Sequence, residues 1–311
     1  MSLAHSVRQR LLNLSRKTAE PFDLVLTRYA LERLLYRISQ SKWKTNFLLK
    51  GAMLFSLWHD SPHRPTKDLD LMAYGNKDAG FLKEVFQSLC NLEVENDGIE
   101  FIAESVTCNE IREGNIYHGL RVKVMSTLAG AKLRLQVDIG FGDVVVPEPE
   151  NIIYPTLLEF PPPRLRAYSR YTMVAEKFHA MVALGIGNSR MKDFYDLWIM
   201  AEHFEYEGLV VCNAIESTFK RQGTVIPLKV PIALTDSFSE DRVKRVQWDA
   251  FLRKSRFDME EKDLTTIIRG LRSFLMPPVS ALANKMEFKL WWSAGGPWKN
   301  YKPRVNDLPV S

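Results

Sequence analysis

Apolar residues recur at helical spacing through the first forty positions. Over 25–40, Leu31, Leu34, Leu35 and Ile38 fall on one face while Arg28, Arg33 and Arg37 lie elsewhere, and 3–17 carries a similar amphipathic pattern. Phe47, Leu48 and Leu49 form a short apolar run, and a buried strand is expected over 47–50. Gly51 then opens a turn into a helix over 52–59, which Pro62 and Pro65 terminate. A second strand is expected over 67–74, a sheet-packing helix over 78–89, and three strands over 100–108, 119–126 and 132–140. The pair Ala129-Gly130 makes the last two a hairpin. Pro147, Pro149, Pro155 and Pro161 to Pro163 stiffen the next segment into a crossover. Helical periodicity follows over 173–184, 192–203, 208–221, 240–254 and 260–276. A tail carrying Trp291, Trp292 and Trp298 is expected to dock on the body through its rings. The pattern predicts an α/β lobe over 1–150 and a helical lobe over 151–311.

Composition narrows the class. The chain has 311 residues, 46% of them hydrophobic, enough for a real core and too apolar for general disorder. No apolar run reaches the length of a membrane span, and the basic N-terminus is too interrupted for a signal-peptide core. Cys90, Cys108 and Cys212 are odd in number and scattered, as in a cytoplasmic protein with reduced thiols. A net charge of +5 is mild, but its distribution is uneven. Residues 1–50 hold ten Lys/Arg against Glu20, Asp23 and Glu32, and a further basic cluster spans 242–256. Segregated positive charge favours a phosphate-rich partner; a solvated helix face explains it equally well.

The candidate chemistry begins at Asp68 and Asp70. Carboxylates at i and i+2 of a strand share a face, where they can hold a divalent cation. A third carboxylate from a neighbouring strand would complete such a site, and Asp138 fits. Leu133, Leu135 and Val137 face one side of its strand, while Arg134, Gln136 and Asp138 face the other. A solvent-facing strand aspartate is the alternative. Gly51 permits close backbone approach to phosphate oxygens, Thr66 can donate its hydroxyl, and Arg64 and Lys67 can neutralise charge. A second block pairs Val174-Ala175-Glu176-Lys177 with Met191-Lys192-Asp193-Phe194-Tyr195-Asp196-Leu197. Lys177 can also be read as a snorkelling lysine, and Asp193 as a carboxylate at a helix N-terminus. There is no P-loop motif, and the glycines of 184–190 follow no strand, so neither common nucleotide fingerprint is present.

The stretch Lys50-Gly51…Arg64-Pro65-Thr66-Lys67-Asp68-Leu69-Asp70 resembles the first motif of the AbiEii/AbiGii nucleotidyltransferase toxins, the toxin halves of type IV toxin–antitoxin systems, which include the MenT enzymes. The second block resembles their later signature, in which a lysine contacts nucleotide phosphates and an aspartate completes the active site. The resemblance covers about 47–198. It departs at the turn, where the superfamily usually has Gly-Ser or Gly-Gly and this chain has Gly51-Ala52.

The resemblance implies an α/β (α+β) fold: a DNA polymerase β-like nucleotidyltransferase sheet flanked by helices, with a C-terminal helical lobe and a cleft between the lobes. It implies catalytic Asp68, Asp70, Lys177, Asp193 and Asp196, with the division of labour between the last two left open. Lys50, Gly51, Arg64, Thr66, Lys67 and Lys192 would bind nucleotide; Asp68, Asp70 and Asp138 would bind Mg²⁺ or Mn²⁺. The implied activity is transfer of NMP from NTP to the 3′ end of tRNA by a monomeric toxin with a separately encoded antitoxin and no membrane association. A non-catalytic RNA-binding protein and a protein-modifying nucleotidyltransferase are the alternatives.

Overall fold

The computed structural model describes residues 2–58, 66–113, 116–255 and 263–300, with the backbone alone between 112 and 118. The chain divides into two compact units, one of residues 1–143 and 149–168, the other of 144–148 and 169–311.

The first unit opens with α1 (Leu3–Thr18) and α2 (Phe22–Gln40). β1 (Phe47–Lys50) leads through a 3-10 turn, Gly51–Leu54, into the short α3 (Phe55–Trp58). The expected single helix after Gly51 is thus split, and its last expected residue lies outside the described residues. β2 (Asp68–Ala73), α4 (Ala79–Cys90), β3 (Ile99–Glu113), β4 (Ile116–Leu128) and β5 (Ala131–Phe141) follow. Asp78 caps α4, its carboxylate accepting from the Phe81 amide at 2.7 Å. The β4–β5 turn has positive φ at both Ala129 and Gly130 (46° and 80°), which a tight two-residue hairpin loop requires.

The proline-rich segment does not merely cross over. It contains β6 (Glu150–Ile153), which pairs with β7 (Arg164–Ala167), and β7 runs parallel to β1. The resulting sheet has seven strands in the order β3-β4-β5-β2-β1-β7-β6 and is mixed, with β2·β5 and β1·β7 parallel. Its apolar face packs on α2 and α4. Leu34, Leu35, Ile38, Leu69, Leu71, Val122, Val137 and Ile139 are each no more than 1% exposed in that layer.

α2 departs from the amphipathic expectation. Arg33 and Arg37 are buried, at 0% and 6% exposure, because α2 is covered on most of its circumference. Arg37 forks onto Asp97 at 2.8 and 3.3 Å, and Arg33 sits 2.9 Å from Glu32 and donates to the Pro161 carbonyl. Arg28 pairs with Glu20 at 2.7 Å.

The second unit contains α5 (Arg170–Leu184), α6 (Met191–His203), β8 (Tyr206–Glu207), α7 (Gly208–Arg221), α8 (Asp236–Glu240), α9 (Arg242–Ser255), α10 (Leu264–Ala283), β9 (Leu290–Trp292) and β10 (Trp298–Asn300). The expected stop before Pro277-Pro278 is overridden. α10 runs through both prolines because Leu275, Pro278 and Val279 are buried on its packed face. The aromatic tail docks as expected: Trp292 donates to the Ala201 carbonyl at 2.7 Å and Trp298 to the Phe274 carbonyl at 2.8 Å. Among the described residues, no helix is long and apolar enough to cross a membrane.

Candidate active site

Strand pairing in the first unit aligns four charged residues along one line of the sheet. Arg121 of β4 lies opposite Asp138 of β5, Asp138 opposite Asp70 of β2, and Asp70 opposite Lys50 of β1. Directly paired residues project to the same face, so the row reads cation, carboxylate, carboxylate, cation across adjacent strands. Asp68, two positions before Asp70, shares that face and pairs with Gln136. The intervening Leu69 and Val137 point the other way into the core.

Each end of the row is held. Arg121 donates from Nε to Asp138 Oδ1 and from Nη2 to Oδ2, both at 2.8 Å, a bidentate fork. That bond raises the guanidinium pKa; partial burial opposes it, and the charges of Asp138, Asp68 and Asp70 add to the rise, so one cation feels all three carboxylates. At the other end Lys50 Nζ donates to Asp143 Oδ2 at 2.7 Å, and the Tyr168 hydroxyl donates to the same oxygen at 2.7 Å. Beside Lys50, Gly51 has φ +74°, and a Cβ there would fall 2.1 Å from Asp70 Oδ2. The Asp70 carboxylate therefore lies against bare backbone at the turn, which only glycine allows.

Hard divalent ions take oxygen donors, and Asp68 and Asp70 bring carboxylate oxygens to the start of β2, exposed at Asp68 and half-buried at Asp70. These residues fit such an ion. Asp138, expected as a third ligand, is engaged by Arg121. Among the described residues no group of three or more His, Cys, Asp or Glu side chains is gathered around one point.

The second unit assembles its own charged cluster. Lys177 of α5 reaches Asp193 Oδ1 at 2.6 Å and Asp196 Oδ2 at 2.8 Å. Spacing of one turn puts both carboxylates on one side of α6. Asp196 is 0% exposed, Asp193 8% and Lys177 13%. Asp193 also lies in the first turn of α6, where the helix dipole favours negative charge.

A family model described as the nucleotidyl transferase AbiEii toxin of type IV toxin–antitoxin systems matches residues 33–274. The chain belongs to the AbiEii family. It is a nucleotidyltransferase, as the two sequence motifs implied. No curated protein matches it. A crystal structure of a candidate nucleotidyltransferase from H. pylori is similar, with 14% identity, 83% of this chain and 96% of that chain covered, and a TM-score of 0.46.

Not every residue named from the sequence of this AbiEii-family chain lies in one of the two clusters. Asp68, Asp70, Asp138, Lys50 and Gly51 share one region of the sheet. Lys177, Asp193 and Asp196 meet in the helical unit. The Thr66 hydroxyl donates to the Asp68 carbonyl at 3.2 Å, so it fixes the start of β2. Lys67 extends instead to Asp23, 3.0 Å away, with both side chains well exposed. Lys192 is exposed on α6, and Arg64 lies outside the described residues. The basic N-terminal surface shrinks, since Arg28, Arg33, Arg37 and Lys50 all have internal carboxylate partners. Lys244 of the later cluster is buried and donates to the Asn188 carbonyl at 2.9 Å. Sequence reasoning missed Arg121. Its signal was present: the Ala129-Gly130 turn sets the hairpin register, and counting outward from it pairs Arg121 with Asp138.

Proposed function

We propose that this AbiEii-family enzyme transfers a nucleoside monophosphate from an NTP to an RNA acceptor, the 3′ end of tRNA, and thereby blocks translation. The observation that carries this reading is the charged row Arg121–Asp138–Asp70–Lys50 with Asp68 beside it, set next to a glycine turn. Asp68 and Asp70 would hold a magnesium or manganese ion, which when bound polarises phosphate oxygens as a Lewis acid. Gly51 and the amides that follow it cradle phosphate, and Lys50 at the end of β1 adds positive charge next to them. Lys177, braced by Asp193 and Asp196, is the second unit's candidate catalytic cation. The acceptor hydroxyl oxygen bonds to the α-phosphorus as the bond to pyrophosphate breaks. Its proton passes to a carboxylate of the row, with Asp138 the candidate once Arg121 lets go. Membership of a type IV toxin–antitoxin family implies a cognate antitoxin.

The test is incubation of purified protein with Mg²⁺, each α-labelled NTP in turn, and total tRNA. Label on tRNA is expected. Label on protein instead would move the acceptor to a side chain, and RNA binding with no label on either would leave a non-catalytic RNA-binding protein.

A further inference from the structure

Asp138, one of the two carboxylates of the row, is not presented to a metal. Both Asp138 oxygens accept from Arg121 at 2.8 Å, and Gln136 Nε2 lies a further 3.4 Å from Oδ2. Asp138 nevertheless lies directly opposite Asp70, the position from which a shared ion would draw a ligand. Arg121 is half-exposed, with its side chain at 38% of full accessibility, so it can swing off the strand without unpacking the core. A guanidinium forks equally well onto a carboxylate and onto phosphate oxygens.

We propose that Arg121 is a positioning residue that competes with the divalent ion for Asp138, so that the complete metal site forms only when a triphosphate draws Arg121 away. The proposal rests on the nucleotidyl-transfer reading of Asp68 and Asp70. It assigns the row a defined order of events. In the nucleotide-free protein, Arg121 neutralises the carboxylate cluster and metal binds weakly through Asp68 and Asp70. An incoming triphosphate offers the guanidinium a better anion, Asp138 is released, and its oxygens become available to the ion or to the acceptor hydroxyl.

Mn²⁺ binding without nucleotide, followed by the electron paramagnetic resonance signal of the unbound ion, tests this apart from activity. Arg121→Gln should bind Mn²⁺ roughly tenfold more tightly than the wild type, because one repelling charge is gone and Asp138 is released. Arg121→Lys, which keeps the charge but loses the fork, should fall between the two. Asp138→Asn should bind more weakly than the wild type, because Arg121 then stands uncompensated beside Asp68 and Asp70. It carries the test should Arg121→Gln fail to give a cooperative melt. Unchanged or weaker binding in Arg121→Gln, with Asp70→Asn abolishing binding as it should, would reduce Arg121 to a cross-strand ion pair and overturn the proposal. If neither the wild type nor Arg121→Gln takes up Mn²⁺, the metal reading of Asp68 and Asp70 falls, and this proposal with it.

Discussion

At the residue scale Gly51 is the constrained position that touches the site. Its φ of +74° costs a side-chain-bearing residue about 1–2 kcal/mol, and a methyl group there would also collide with Asp70 Oδ2. Gly51→Ala should therefore lower the melting temperature and displace the Asp70 carboxylate together. A misplacement near 1 Å in such a site costs on the order of a hundredfold in rate. Full transfer activity in a folded Gly51→Ala protein would show that the reaction does not need the Asp70 carboxylate held against this turn. Asp68 makes the opposite case, because it is exposed at the start of β2. Asp68→Asn should leave unfolding free energy within about 0.5 kcal/mol of the wild type while abolishing transfer. Urea melts beside the labelled-tRNA assay separate the two effects.

At the scale of single elements, α2 and the α5–α6 pair are held by buried charge. Burial pushes the Glu32 carboxyl up to about 7 from an ordinary 4.5; Arg33, 2.9 Å away, and the Leu157 amide pull the other way and lose. Between those pH values the folded chain keeps a proton that the unfolded chain has given up. Glu32 thus contributes stability that is fully present below about 4.5 and lost as pH rises through about 7. The wild type should lose on the order of 2–3 kcal/mol relative to Glu32→Gln between pH 5 and pH 8, measured by urea melts across that range. A constant difference would mean that Glu32 is ionised throughout. In the second unit, Lys177→Met would leave Asp193 and Asp196 facing each other with little solvent, a loss of about 3–5 kcal/mol. Adding Asp196→Asn should restore part of it, and a double-mutant cycle reads that coupling. These elements also show what was legible in the sequence. The helix at 208–221 matched its periodicity, and the strand at 47–50 was readable from its apolar run before the Gly51 turn. Asp68 and Asp70 could be placed on one face from the period of a strand. The burial of Arg37 was invisible, since its partner Asp97 lies far along the chain. β6 and β7 escaped because four residues flanked by prolines give no periodicity to read.

At the scale of the whole molecule, a net charge of +5 overstates what a nucleic acid would meet. Of the cations in the first fifty residues, Arg28, Arg33, Arg37 and Lys50 are tied to carboxylates of the same unit, whereas Arg8, Arg16 and Lys17 of α1 are exposed. Lys42 and Lys44 beyond α2 and Arg242, Arg245, Arg253 and Lys254 of α9 are exposed as well, and the α1 cations flank its buried Val7, Leu11 and Ser15. If tRNA is the acceptor and α1 helps to hold it, replacing Arg8, Arg16 and Lys17 together by Gln should weaken tRNA binding at low salt. It should also flatten the plot of log affinity against log salt by roughly 0.7–0.9 for each phosphate that is no longer neutralised. The fold should survive, because these side chains point outward; Arg16 and Lys17 give up only a few tenths of a kcal/mol each at the C-terminal end of α1. Arg33→Ala is the informative counterpart: it should unfold the first unit rather than change the salt slope, since its guanidinium is wholly buried. Filter binding over a potassium chloride series measures both variants. An unchanged slope in the triple variant would place the RNA backbone on other cations of the molecule. A changed slope in a folded Arg33→Ala protein would mean that α2 opens when RNA arrives.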